Sequence, residues 1–397
     1  MLNDRLEYNR ISEVGEILPA QKGIQFPSLN ILNLYTLIFV ISNIYVWEDV
    51  AGLYWAKHIV TIVAASLYIF LGAIAGRSVA RETMPIYLFW MLGFALYLFF
   101  AFNVVGALQY FVFFVFVCCI SDSLKSYRAS GALLLSIMLL PVVVDVLLNG
   151  AGFLYNTYYG RPRLLLGIQH PKETGNIISS LLLLYVFFGK QKSMIGYLII
   201  CFAVFFLLYL VQSRNSLLFV ALFFSLNVSL KYLGVATSLV FYFIVLWFVP
   251  FFVSGFYYDQ INSISSFRLD NWSSILESYS GFWGALGRGD LELRYEMVRV
   301  DNYFVSLFVE TGIIGICWVF SLFVVCCYYL GAYKVNGWFV LPLVPALYTQ
   351  ASLDAGLFST GNILNVVCWA IILYGIQKNH FDRSQQLHGR EGVDDIH

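Results

Sequence analysis

No Asp, Glu, Lys or Arg occurs between Pro85 and Ser121, and stretches of the same kind recur along most of the chain. Such stretches constrain the fold more than any motif. A bilayer core about 30 Å thick needs about 20 mostly apolar residues per helical crossing. Only structures that bond their own backbone groups survive there. About twelve such runs are present, at 26–47, 58–75, 85–102, 104–121, 131–149, 176–189, 193–211, 215–230, 234–253, 303–330, 336–352 and 362–377. They predict an all-α polytopic membrane protein with about 12 transmembrane helices. The composition agrees, since 60% apolar and 12% charged residues lie far from the balance of a soluble domain. Within 85–121, Asn103 and Gly106 mark the turn between two spans or the bend of a re-entrant pair.

The net charge is zero, so no global field points to nucleic acid, and electrostatic function must come from where charges sit. All seven cysteines (Cys118, Cys119, Cys201, Cys317, Cys326, Cys327 and Cys368) fall in oily runs without metal-like spacing and read as small core hydrophobes. The opening "MLNDRLEYNRISEVGEILPAQKG" lacks the basic start and apolar centre of a cleavable signal peptide, so the first membrane helix is expected to act as its own signal.

Lys and Arg set the orientation. With both ends cytoplasmic, Arg77, Arg81, Lys125, Arg128, Lys190, Lys192, Lys231, Lys334 and Lys378 fall inside, whereas Lys57, Arg161, Arg163, Lys172, Arg214, Arg268, Arg288, Arg294 and Arg299 fall outside. The expected layout is a cytoplasmic segment 1–25, membrane helices over 26–149, an outer loop 150–175, central helices over 176–253, a large outer loop 254–302, helices over 303–377 and a disordered cytoplasmic tail 378–397. The larger loop reads as partly helical. In "SSFRLDNWSSILESY", Phe267, Trp272, Ile275 and Leu276 have helical spacing, and this segment is expected to lie along the membrane surface.

Basic residues on the outer face run against the positive-inside bias and imply an anion. Arginine suits phosphate because its planar fork bonds two oxygens and stays protonated when partly desolvated. "RPRLLLGIQHPKETGN" supplies Arg161, Arg163, His170, Lys172 and Glu173; "YLVQSRNSLLFV" places Arg214 between two apolar runs; Arg268 and Arg288 lie in the larger loop. Plainer roles compete: lipid headgroups for the cluster, snorkelling for Arg214 and stacking on Trp272 for Arg268. Arg294 and Arg299 have helical partners in Asp290 and Glu296 and are set aside. A group-transfer site also needs a proton acceptor. Asp301, at the threshold of a membrane helix in "VDNYFVSLFVETGIIG", is the leading candidate, where desolvation favours a stronger base; a helix cap is the alternative. His170 and Glu173 stand behind it. No DxD sequence, ligand-spaced Cys or His pair, or phosphate loop is present, so neither a metal nor a nucleotide cofactor is expected.

In order, "GIQHPKETGNI", "QSRNSLLF", "FRLDNW" with "GALGRGD", and "VDNYFVSLFVETGIIGI" resemble the O-antigen polymerase and ligase superfamily over about residues 160–320. The resemblance implies a metal-independent, GT-C-like glycosyltransferase of the bacterial inner membrane with a large, partly helical periplasmic loop. Its substrates would be oligosaccharides linked to undecaprenyl pyrophosphate, and a chain-length regulator and a flippase would be its partners. It further implies that Arg214 and Arg268 hold the donor pyrophosphate; Arg161, Arg163, His170, Glu173, Arg288 and Asn302 are expected beside them as substrate contacts from their charge and position. The ligase branch has His-Asn where this chain has Asp301-Asn302, which favours the polymerase branch. The alternatives are a ligase that transfers polysaccharide to lipid A core, and a transporter of lipid-linked sugars. A transporter calls for charges along an interior path, and here mid-helix charges are few, Asp145 and Asp354 being the main ones.

The charge distribution makes a direct prediction about topology. Cysteines introduced at Tyr158 and Ser280 should react with an impermeant thiol reagent in intact cells. Labelling only after lysis would refute this orientation.

Overall fold

The computed structural model describes residues 29–44, 51–74, 84–99, 104–152, 154–158, 161–189, 194–244, 259, 268–278, 287, 302–353 and 357–394. Of the described residues, 82% are helical and 4% are strand. Its described helices are α1 (Leu29–Ser42), α2 (Ala51–Ile74), α3 (Met84–Phe99), α4 (Val104–Ser123), α5 (Gly131–Asn149), α6 (Pro171–Phe188), α7 (Met194–Val211), α8 (Arg214–Leu233), α9 (Val235–Phe243), α10 (Arg268–Ser278), α11 (Tyr303–Leu330), α12 (Leu343–Ala351) and α13 (Ile363–Asp394). Two antiparallel hairpins interrupt them, β1 (Tyr155–Tyr158) with β2 (Arg161–Leu164), and β3 (Lys334–Val335) with β4 (Trp338–Phe339). Among the described residues, five helices are long and apolar enough to cross a membrane, and several shorter apolar helices accompany them.

Two elements form the inner column. The apolar half of α13, from Ile363 to Ile376, is buried along its length, and α6 buries nearly every residue from Thr174 to Phe188. Around them α2 and α5 present Ile59, Ile62, Val63, Phe70, Leu135, Val143 and Leu147 outward. In water such an exposed surface would aggregate; in a bilayer it is the lipid face. Aromatic rings fill the centre. Trp90 meets Trp369 at 4.7 Å and Phe114 at 5.0 Å, and Phe358 stacks on Trp369 at 5.4 Å.

Several sequence expectations change in the folded chain. The stretch 85–121 forms two packed helices, α3 and α4. The helix expected at 176–189 begins at Pro171, because proline suits a first helical position and His170 caps it. The run 336–352 is not one helix. It comprises the β3–β4 hairpin and the nine-residue α12, about 14 Å long and too short to span. Non-helical backbone survives there because side chains satisfy it: Asn227 accepts from the Phe339 N–H at 2.9 Å, and Asn336 donates to the Phe187 carbonyl. The tail expected to be disordered continues α13 to Asp394, through Gln, Leu, Arg and Glu with no proline. Residues 1–25 and most of 254–302 lie outside the described residues.

In the larger loop, α10 bears out the helical spacing. Its Ile275 packs with Val305 and Val309 of α11, flanked by Trp272 and Phe308, so the apolar face seen in the sequence is spent on protein. Gly287 lies against the backbone of Glu310, Thr311 and Gly312, where α11 breaks its helical geometry at Gly312 (φ 66°, ψ −157°). That left-handed φ suits glycine.

Gly93 offers a test of the packing. A β-carbon there would overlap the Trp318 indole, whose N–H donates to the Phe89 carbonyl at 2.8 Å, and the Tyr110 ring. Gly93→Val should destabilise the protein by about 1–3 kcal/mol. Thermal unfolding of detergent-purified protein would register it as a lowered midpoint.

Candidate functional site at the starts of α6 and α8

The site is built on the turn before α6. Leu166 (φ 54°) and Gly167 (φ 75°) are both left-handed, and Gly167 packs against the Pro141 carbonyl of α5. The next residues are pinned to α1: Ile44 bridges Ile168, and the Gln169 N–H donates to the Asn43 carbonyl at 3.0 Å. His170 then caps α6, its Nδ1 accepting the Lys172 N–H at 3.1 Å. Thr174 Oγ1 reaches back to the Leu165 and His170 carbonyls at 3.1 and 3.2 Å. These bonds set His170, Lys172 and Glu173 on a rigid first turn.

α8 begins beside it. Gly175 lets the Ser213 and Ser216 hydroxyls come so close that any side chain would collide with them. Ser213 Oγ donates to Ser216 Oγ at 3.0 Å, and Ser216 Oγ donates to Asn176 Oδ1 at 3.2 Å. From α12, Gln350 Nε2 also donates to Asn176 Oδ1 at 3.3 Å. Asn215 Nδ2 donates to the Leu353 carbonyl at 3.0 Å. Ser216, Asn176 and Gln350 are all buried. This neutral network locks the N-termini of α6 and α8 side by side, and Arg214, the first residue of α8, is exposed above it.

Two helix N-termini thus share one end of the bundle, each carrying about half a positive charge from its unpaired N–H groups. Arg214 and Lys172 add full positive charges in the first turns, where the helix dipole disfavours cations. Glu173 offsets part of this charge. An anion is the kind of ligand that such an end suits.

The start of α11 packs on α12, the helix that supplies Gln350: the Phe304 ring lies 6.0 Å from that of Tyr348. The Tyr303 ring of α11 lies 5.7 Å from that of Phe358, two residues before Thr360, whose hydroxyl meets His58 Nδ1 at 3.4 Å and whose carbonyl accepts from Tyr35. Asn302 is buried and caps α11, its Oδ1 accepting the Phe304 and Val305 N–H groups at 2.9 and 3.2 Å. The cap is therefore Asn302, and its side-chain oxygen is engaged by backbone.

The other expected residues are placed to different degrees. Arg163 is half-buried on β2, two positions from Arg161, which is placed in its strand by the backbone alone. Arg268 opens α10 and is likewise placed by its backbone. Asp301, Arg288 and Asp354 lie outside the described residues. Asp145 is buried on α5 beside Gly167, near this same end, and accepts from Asn149 at 3.2 Å. Sequence reasoning missed Asn176, Ser216 and Gln350. Their signal was available, since amides within apolar runs are costly and require partners. Among the described residues, no three His, Cys, Asp or Glu side chains converge as metal ligands would.

The cap separates two roles for Asn302. Asn302→Asp should keep the melting midpoint, whereas Asn302→Ala should cost about 1 kcal/mol through loss of the cap. Equal midpoints for the two variants, by differential scanning fluorimetry, would contradict the capping role. Comparisons of the chain with protein-family models, with curated proteins and with solved structures each returned no match, so the resemblance to the polymerase and ligase superfamily rests on the residues quoted above.

Proposed function

We propose that this chain is a polysaccharide polymerase, a metal-independent glycosyltransferase that joins oligosaccharide repeat units carried on undecaprenyl pyrophosphate. In this reading it works at the periplasmic face of a bacterial inner membrane, with the bilayer, the lipid-linked units, a chain-length regulator and a flippase as its partners. The observation that carries the reading is the meeting of the α6 and α8 N-termini, with Arg214 and Lys172 in their first turns, at one end of the bundle. A pyrophosphate is the kind of ligand such an end would hold, and lipid carriers present one at headgroup depth.

The chemistry follows. A hydroxyl of one lipid-linked unit attacks the anomeric carbon of another, forming a new C–O bond. The bond between that carbon and the pyrophosphate oxygen breaks, and undecaprenyl pyrophosphate departs with the electron pair. Arg214, joined by Arg268 and the basic residues Arg161, Arg163 and Arg288, offsets the negative charge that grows on the departing oxygen. Preorganised charge of this kind often accelerates group transfer more than any other effect. Asp301, one residue before the α11 cap, takes the proton of the attacking hydroxyl.

Two sets of variants in a reconstituted assay with a lipid-linked repeat unit test this reading. Asp301→Asn should lower polymerisation by roughly 10²- to 10⁴-fold, as expected for loss of a general base. Arg214→Lys and Arg268→Lys keep the charge but lose the bidentate fork, and each should shorten the product sharply. Wild-type product from Asp301→Asn would remove Asp301 as base, and wild-type product from both Lys variants would remove the pyrophosphate clamp.

A further inference from the structure

Behind the rim, where α6 meets α12, three buried polar atoms have no hydrogen-bond partner among the described residues: Asn176 Nδ2, Gln350 Oε1 and Ser179 Oγ. Their residues are 1%, 2% and 0% exposed. Asn176 is the sixth residue of α6, about 7 Å along the helix from Pro171 and so inside the bundle. A polar group left unpaired there is costly, because lipid offers it nothing to bond. The nearby hydroxyls already donate elsewhere: Ser180 Oγ to the Asn176 carbonyl at 2.7 Å, Thr349 Oγ1 to the Pro345 carbonyl at 2.9 Å, and Ser213 Oγ to Ser216 Oγ at 3.0 Å. The three atoms call for a partner of another kind.

Covalent geometry keeps them together. Gln350 Nε2 donates to Asn176 Oδ1 at 3.3 Å, so Asn176 Nδ2 and Gln350 Oε1, each one carbon away from that bond, are its immediate neighbours. Ser179 follows Asn176 by three residues, a spacing that sets the two side chains on one helix face with their β-carbons about 5–6 Å apart. The set that remains is one N–H donor, one carbonyl acceptor and one hydroxyl that can do either. Exchanging the oxygen and nitrogen of both amides leaves the same set. A cation would leave the N–H unpaired, and an anion would leave the carbonyl unpaired. A neutral hydroxyl accepts from the first and donates to the second. We propose that Asn176, Ser179 and Gln350 form an internal site for one neutral hydroxyl group, held between α6 and α12 behind the rim that α6 and α8 make. Two sources offer that group: a water molecule, and a hydroxyl of a carbohydrate at the rim. Bound there, it ties α12 to α6 through bonds added to the one between the amides. The site stands on these three side chains and is independent of the polymerase reading.

Two measurements on the full chain in nanodiscs test it. The first is thermal unfolding of Ser179→Ala, with Ser180→Ala as the control. Alanine forms helix better than serine, so removing a buried hydroxyl that bonds nothing should leave the midpoint unchanged or raise it. Removing one that bonds a bound hydroxyl should lower it by about 2 °C or more, and this loss is expected for Ser179→Ala. Ser180→Ala, whose hydroxyl returns to its own helix, should change it by less than about 1 °C. The second is cryo-electron microscopy at a resolution that shows ordered water, where a peak is expected about 2.7–3.2 Å from both the Asn176 and the Gln350 amide. A peak present in protein purified without saccharide assigns the hydroxyl to water. A peak that appears only with an added lipid-linked oligosaccharide, continuous with its density, assigns it to the carbohydrate, and either result supports the site. A peak with contacts to oxygen alone, shorter than about 2.6 Å, would be a cation and would overturn the proposal. An unchanged or raised midpoint in Ser179→Ala, or two amides closed on each other with no peak between them, would overturn it equally.

Discussion

Inside a bilayer a backbone N–H or C=O group has no water to bond, and the architecture of this chain depends on how each such group is satisfied. Helices do most of it. Where the helices stop, side chains take over: Asn227 accepts from Phe339, Tyr242 donates to the Pro345 carbonyl at 2.9 Å, Trp369 to Leu357 at 3.1 Å, and Tyr35 to Thr360 at 2.7 Å. Each is a polar handle on an otherwise apolar or buried side chain. The abundance of aromatic residues and the presence of irregular segments at the centre of the bundle therefore have one explanation. Short α12 and the β3–β4 hairpin can sit against α8 and α6 because their neighbours carry the necessary donors and acceptors.

The same constraint shapes the candidate site. Two helix N-termini placed side by side leave their first N–H groups pointing the same way, and their partial charges repel. Here a neutral network of Ser213, Ser216, Asn176 and Gln350 holds them together without adding charge. His170 and Asn302 each satisfy part of a helix start from within. At the rim Arg214 is exposed, with Lys172 and Glu173 half-buried across from it.

Charge spacing along the chain was enough to single out the basic residues that run against the positive-inside bias, because that departure is a one-dimensional property. It could not rank them. Arg214 separates from the rest because α8 starts at it and because Gly175 admits Ser213 and Ser216, a contact between residues about forty positions apart. Lys57 appeared in the sequence as one more outer cation; its burial and its hydrogen bond to Asn43 depend on α1 and α2 packing together. Position 302 shows the reverse. Asn before an aromatic helix start is an N-cap pattern that can be read directly, and the folded chain uses it so.

Local properties were therefore legible. Long apolar runs dictated helices, and the runs at 131–149 and 303–330 coincide with α5 and α11, because a crossing is limited by its own length and hydropathy. The amphipathic spacing in "FRLDNWSSILES" dictated α10 for the same reason. Tertiary structure decided everything that depends on a partner: that 336–352 would break into a hairpin and a half-helix, that α10 would spend its apolar face on Val305 and Val309, and that the starts of α6 and α8 would meet. Hydropathy records how much a segment avoids water. Which buried amide finds which hydroxyl is settled only when the helices pack.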